Sequence, residues 1–208
     1  MIQQGTEEWL RARCGNITCS RFADVMSNGR GNAPSQKALT YQDELLAEIL
    51  TGKPAREVKT FAMEWGTTHE PIARELYEQQ TGNTVADGGL FKHGSHRITG
   101  SPDGLVGDAG LIEIKCPLTI TPHMRVVESM QMPDEHFEQV QGYLWITGRE
   151  WCDFISYHPD FPEQFQLMVV RVNADKEYHS ELQAKLYGFE TALLERVRRI
   201  LERMKGTK

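Results

Sequence analysis

Two acidic residues and a lysine are spaced as a phosphodiester-cleaving site would need them. Ser101-Pro102-Asp103-Gly104 is followed by Glu113-Ile114-Lys115. Residues two apart in a strand share a face, so Glu113 and Lys115 project together while Ile112 and Ile114 point the other way. The segments Arg97–Val106 and Leu111–Cys116 alternate in hydropathy around Gly107-Asp108-Ala109-Gly110, which reads as a hairpin that returns Asp103 beside Glu113. Mg²⁺ takes hard oxygen ligands, typically one or two carboxylates with substrate phosphate oxygens completing the shell. Such an ion polarises a phosphate and makes water more acidic. A lysine alongside can orient the attacking water, help deprotonate it, or steady the transition state. The same spacing also suits an ordinary amphipathic strand that follows a Pro-Asp-Gly turn.

A third carboxylate tips the balance. Glu70 lies in Trp65-Gly66-Thr67-Thr68-His69-Glu70-Pro71, inside a helical pattern expected over Phe61–Gln80 and closed by Thr81-Gly82. By itself it reads as an acid favoured by a helix dipole. Glu70, Asp103 and Glu113 gathered together would repel one another unless a cation sat among them.

The elements that must hold these residues can be read from caps and periodicity. Thr6 is positioned to cap Glu7–Arg13 and Thr18 to cap Cys19–Met26, with Ser27–Ser35 as a loop. Thr40–Asp43 resembles a capping box for a helix ending at Thr51-Gly52. Pro133 opens a helix to Thr147, Trp151–Tyr157 and Gln164–Val172 read as strands, and Asp175–Met204 as a long amphipathic helix. On that helix Leu182, Leu186, Phe189, Leu193, Val197, Ile200 and Met204 form one apolar stripe, read as core. Helices, a mixed central sheet and a covering helix give an α/β class.

Composition bounds the function. The chain has 208 residues, 39% hydrophobic and 25% charged, enough for one packed domain over 1–208. Its formal charge of −6 does not suggest a nucleic-acid binder, yet carboxylates around a metal lower the total while leaving basic surface elsewhere. Arg196, Arg198, Arg199, Arg203, Lys205 and Lys208 read as the charged end of a solvated helix. No run approaches the roughly 18 apolar residues of a membrane span, and the N-terminal stretch is too polar for a signal peptide. Cys14, Cys19, Cys116 and Cys152 form no metal or disulfide framework. A GxxxxGK[ST] phosphate loop is absent, so no ATP is expected. These features point to a cytoplasmic protein.

The blocks Glu70, Ser101–Gly104, Glu113–Lys115 and Gln139-Val140-Gln141, in that order, resemble a PD-(D/E)xK nuclease. More closely they are similar to the lambda exonuclease and YqaJ-like viral recombinase family, whose opening W…R-x-G-x-I-T-x-S is matched by Trp9 to Ser20. The resemblance implies a restriction-endonuclease-like core with a central mixed sheet flanked by helices. It further implies a Mg²⁺-dependent 5′→3′ exonuclease of phage or prophage origin, with Mn²⁺ able to substitute and two ions per site. Such an enzyme digests one strand of linear duplex DNA and leaves 3′ tails for recombination. By the same analogy Asp103, Glu113 and the Ile114 carbonyl ligate metal, Glu70 helps hold a second ion, and Lys115 positions the water. Gln139 supports the site, and Arg13, Ser20 and Ser101 receive the 5′-phosphate. A homotrimeric ring around DNA and a single-strand annealing protein as partner are also implied. Alternative readings are another endonuclease or single-strand nuclease on this core, or a non-catalytic module that binds DNA ends.

Overall fold

The computed structural model describes residues 2, 4–55 and 60–205. The chain opens with α1 (Glu7–Arg13), where Thr6 Oγ1 accepts from the Trp9 N–H at 3.2 Å as its residue type predicts. It continues through β1 (Ile17–Thr18), a 3₁₀ turn at Cys19–Arg21, α2 (Phe22–Met26), α3 (Gln36–Thr51) and α4 (Phe61–Thr81). Then come β2 (Val85–Asp87), β3 (Phe91–Lys92), β4 (Ile98–Gly100), β5 (Gly104–Val106), β6 (Gly110–Lys115), α5 (Ile120–Ser129) and α6 (Phe137–Thr147). β7 (Trp151–Tyr157), α7 (Glu163–Gln166), β8 (Leu167–Asn173) and α8 (Lys176–Lys205) complete the order.

Five strands form one sheet in the order β2-β5-β6-β7-β8, and a smaller sheet runs β1-β4-β3. Both are mixed. β6 pairs with β7 in parallel and β1 with β4 in parallel, while the remaining pairs are antiparallel. A parallel pair cannot be joined by a tight turn, and α5 and α6 supply the crossover between β6 and β7.

The period of two in β6 decides what each face meets. Leu111 enters a core built from α2, α3, α6 and α8, with Phe22, Leu45, Leu144, Leu182, Leu186 and Leu193 fully or nearly buried. Ile112 and Ile114 enter a second core beneath α4, with Ala73, Tyr77, Ile155 and Tyr157. Glu113, in phase with Leu111, therefore faces the α6 side. The stripe on α8 is core as expected, except that Met204 at its end lies exposed.

Several details depart from the sequence reading. Residues 97–106 are not one strand: β4 belongs to the small sheet and β5 to the large one, with Ser101-Pro102-Asp103 bridging them. Pro102 has no N–H to give a ladder, which suits a break there. Helix α3 starts at Ser35, whose Oγ accepts from the Ala38 N–H at 3.1 Å, and not at the capping-box residue Thr40. Thr18 caps no helix; its N–H donates to the Tyr41 hydroxyl at 2.9 Å, and its own hydroxyl lies 3.3 Å from that of Ser20. Helix α5 has no counterpart in the sequence reading, and residues 164–166, expected as the start of a strand, lie in the short helix α7, so that β8 begins at Leu167.

Candidate active site

One cleft of about 150 Å³ is lined by Arg13, Ser20, Glu70, Ser101, Asp103, Glu113, Ile114, Lys115 and Gln139. The residues expected to ligate metal, position water or receive the phosphate thus border one space, although they come from α1, the following 3₁₀ turn, α4, the β4–β5 bridge, β6 and α6.

Asp103 is anchored at both its main chain and its carboxylate. Its N–H donates to the Ile112 carbonyl at 3.2 Å, and its Oδ2 accepts from the Ile114 N–H at 2.7 Å. The approach to it is tight: a Cβ on Gly88 would come within 1.7 Å of the Pro102 carbonyl oxygen, so only glycine allows β2 to pass the bridge. A Cβ on Gly100 would likewise press on Cys19 Sγ at 2.7 Å and on the Tyr143 ring at 3.0 Å.

Glu113 is 2% exposed. Its Oε1 receives both Lys115 Nζ, at 2.6 Å, and Gln139 Nε2, also at 2.6 Å. The second hydrogen of the Gln139 amide goes to the Tyr143 hydroxyl at 2.7 Å, which fixes the orientation of the amide. Glu113 Oε2 is buried and has no partner.

Charge in the cleft is consistent with that geometry. Burial and the neighbouring Asp103 carboxylate push Glu113 up to about 8, against the pull of Lys115. Burial also raises Asp103, with Lys115 and the Ile114 N–H opposing it. Glu70 is raised by burial and then by Asp103. Burial disfavours the Lys115 ammonium, but Glu113 and Asp103 outweigh it, so its pKa is raised and it stays charged.

These observations test whether the residues fit a divalent cation. Buried carboxylates that repel one another, one with an orphaned oxygen, gain most from a cation close by. Among the described residues no three His, Cys, Asp or Glu side chains gather into a ready-made cluster. The oxygens available to such an ion are two carboxylates with Ile114 alongside, an all-oxygen set that would suit Mg²⁺ better than a softer metal. Glu70 borders the same space and is coupled electrostatically to Asp103.

At the other end of the cleft the Arg13 guanidinium lies 4.0 Å over the Trp9 ring. Trp9 Nε1–H donates to Ser101 Oγ at 2.9 Å, and the Ser101 hydroxyl donates to the Gly89 carbonyl at 2.6 Å. Trp9 thus holds both a cation and a hydroxyl of the expected phosphate pocket.

The sequence reading missed Tyr143, although Gln139 and Tyr143 are four apart on a helix and so share a face. It also missed the link from Arg74 to the main chain of Asp103. The histidines and tryptophans around the cleft and cores have partners of their own. His93 Nε2 pairs with the Tyr187 hydroxyl at 2.9 Å, and His96 Nδ1 with Glu190 at 2.6 Å. His69 Nδ1 bonds the Trp65 carbonyl at 2.8 Å. His136 stacks on Phe154, and burial, with Lys115 nearby, pushes it down to about 4. Trp145 packs against the larger core and stacks on His93, while Trp151 carries the Arg171 guanidinium on its face.

Mixed sheets between helices, with Asp103, Glu113 and Lys115 where β5 and β6 meet, define a PD-(D/E)xK core. The profile of the YqaJ-like viral recombinase domain matches residues 8–150, and the chain belongs to that family. It is similar to the alkaline exonuclease (LHK-Exo) of Laribacter hongkongensis, with 36% identity, a TM-score of 0.89, and coverage of 98% of this chain and 100% of that one. That protein has also been solved in complex with dAMP. A phage-related exonuclease of Haemophilus somnus shares the fold, at 16% identity and a TM-score of 0.70 over 91% of this chain and 96% of that one. An uncharacterised protein of Acanthamoeba polyphaga mimivirus is 26% identical over 168 residues, 74% of this chain, and the match spans only 29% of that relative's length.

Proposed function

We propose that the chain is a Mg²⁺-dependent 5′→3′ exonuclease, one nuclease domain over 1–208, that digests one strand of linear double-stranded DNA and leaves 3′ tails for recombination. The observation that carries this reading is the shared cleft: Arg13, Ser20 and Ser101 border the same space as Asp103, Glu113, Lys115 and Gln139. A guanidinium with hydroxyls suits a terminal phosphate dianion, and buried carboxylates with a lysine suit hydrolysis next to it. The complex of the similar alkaline exonuclease with dAMP supports the reading, since a deoxynucleoside monophosphate is what such a reaction releases.

Asp103, Glu113 and the Ile114 carbonyl would hold the Mg²⁺, with Glu70 toward a second ion and Mn²⁺ able to substitute. When bound, the metal supplies Lewis acidity to the phosphate and a more acidic water. Lys115, charged and tied to Glu113 Oε1, donates hydrogen bonds that orient the attacking water and steady the developing negative charge; a charged ammonium has no lone pair to act as base. Gln139, held by Tyr143, keeps Glu113 Oε1 occupied and so leaves Oε2 as the free oxygen. Arg13, held over the Trp9 ring, receives the 5′-phosphate. Attack on phosphorus breaks the bond to the 3′ oxygen, releases a 5′-mononucleotide and leaves a new 5′-phosphate on the shortened strand. A pocket for that group is therefore re-engaged after each turnover.

A homotrimeric ring around its duplex, a single-strand annealing protein that receives the 3′ tail, a phage or prophage origin and a cytoplasmic site of action complete the reading. Among the described residues no helix is long and apolar enough to cross a membrane. The test is digestion of a linear duplex labelled separately at each end, with 5′-phosphate or 5′-hydroxyl termini, with and without Mg²⁺, beside a closed circle. Metal-dependent loss from the 5′-phosphorylated strand with the circle intact is expected. Cutting of the circle would make the protein an endonuclease, and no cutting at all would make it a DNA-end-binding module.

A further inference from the structure

Arg74 lies one helical turn beyond Glu70 on α4, so the two side chains leave the same face of the helix. Its guanidinium forks between two segments. Nη2 donates to the main-chain carbonyl of Asp103, and Nη1 reaches Asp87 Oδ1 at 3.4 Å. Asp87 is the β2 residue paired across the sheet with Gly104, the neighbour of Asp103. One planar group therefore fastens α4 to the edge strand and to the β4–β5 bridge at once, a geometry that a single ammonium cannot reproduce. Arg74 does not line the cleft, although Glu70 on one side of it and Asp103 on the other both do.

We infer that Arg74 is a positioning residue: by holding the Asp103 main chain against the helix that carries Glu70, it sets the affinity of the cleft for a divalent cation. This rests on the reading of the cleft as a metal site. Asp103 is otherwise held by its N–H to Ile112 and by the Ile114 N–H on its carboxylate, and both of those contacts come from β6. Neither fixes its separation from Glu70. The packing of Ala73 and Tyr77 on Ile112 and Ile114 holds α4 over β6, and Arg74 adds the direct polar tie from that helix to the Asp103 main chain, so loosening it spreads the donors while leaving the β5–β6 ladder intact.

The test is calorimetric titration of the full chain with Mn²⁺ alone, without DNA, for wild type, Arg74→Ala, Arg74→Lys and Asp87→Asn. Duplex binding in EDTA and melting curves accompany it. Mn²⁺ affinity should fall roughly 10-fold in Arg74→Ala, by less in Arg74→Lys, and about 2-fold in Asp87→Asn, where the Nη1 partner keeps an acceptor oxygen but loses its charge. Duplex binding in EDTA should stay within about 2-fold of wild type. Unchanged Mn²⁺ affinity in Arg74→Lys and Asp87→Asn would overturn the inference, even if Arg74→Ala fails to fold. Weakened duplex binding with unchanged Mn²⁺ affinity would also overturn it and make Arg74 a phosphate contact. A wild type that binds Mn²⁺ but leaves DNA intact would refute the nuclease reading, while the calorimetric shift would still support the role of Arg74. A wild type that binds no Mn²⁺ would overturn both.

Discussion

Replacing Glu113 by Gln should flatten the pH dependence of stability in the metal-free protein. The carboxyl is 2% exposed, and burial beside Asp103 raises it from 4.5 to about 8. A raised acid folds best when protonated. Its contribution is fully present below the unfolded value near 4.5 and is lost as pH rises through about 8. At about 1.36 kcal/mol per pH unit that interval corresponds to roughly 5 kcal/mol. For a chain of this size each kcal/mol moves Tm by about 2–4 °C. Between pH 5 and 9 in EDTA, wild type should therefore lose roughly 10 °C or more beyond what Glu113→Gln loses. The carboxyl is neutral below about 8 and pairs with the Lys115 ammonium as an ion only above it; the pull of Lys115 is already contained in that value and does not reverse the decline. Melting curves by circular dichroism at several pH values measure the two slopes. Saturating Mg²⁺ should suppress the decline in wild type and leave the variant almost unmoved. Equal slopes in the two proteins would refute the reasoning.

Three other perturbations probe separate parts of the cleft. Lys115→Ala should keep the fold and duplex binding but lower cleavage by about 10²–10³-fold, read as the single-turnover rate at saturating Mg²⁺; near-normal turnover would remove Lys115 from the chemistry. Arg13→Ala should weaken use of 5′-phosphorylated ends by roughly 10–100-fold and leave 5′-hydroxyl ends nearly unchanged, since a charge-assisted hydrogen bond is worth about 1.5–3 kcal/mol. Equal effects on both ends, measured by kcat/KM, would contradict that role. Gly88→Ala forces a methyl to within 1.7 Å of the Pro102 carbonyl oxygen. It should cost about 2 kcal/mol or more in denaturant unfolding and lower Mg²⁺ affinity, because the bridge it displaces carries Asp103; a variant as stable as wild type would show that the bridge yields freely.

The site was more legible than the frame around it. Glu113 and Lys115 could be put on one face from the period of a strand alone, and the salt bridge between them bears that out. Asp103 was placed beside Glu113 for a partly mistaken reason, since residues 97–106 were read as one strand. Pro102, with no N–H for a ladder, is the one local sign of a break there, and it does not say that the chain changes sheets. The start of α3 was misread because two caps competed: Ser35 won over Thr40 as the loop from Ser27 folds back, its Oγ meeting that of Ser27. Arg74 and Tyr143 escaped notice because their partners are a main-chain carbonyl and a neighbouring amide, neither of which leaves a mark in residue type. Arg13 came to the site only through the resemblance, since its place over the Trp9 ring leaves no mark in residue type or spacing.

The most direct test of the account is anomalous diffraction from crystals of Lys115→Ala grown with Mn²⁺ and a 5′-phosphorylated duplex. The account predicts an anomalous peak between Asp103, Glu113 and the Ile114 carbonyl, with the terminal phosphate against Arg13. An empty acidic cleft, or a 5′ end seated away from Arg13, would contradict it.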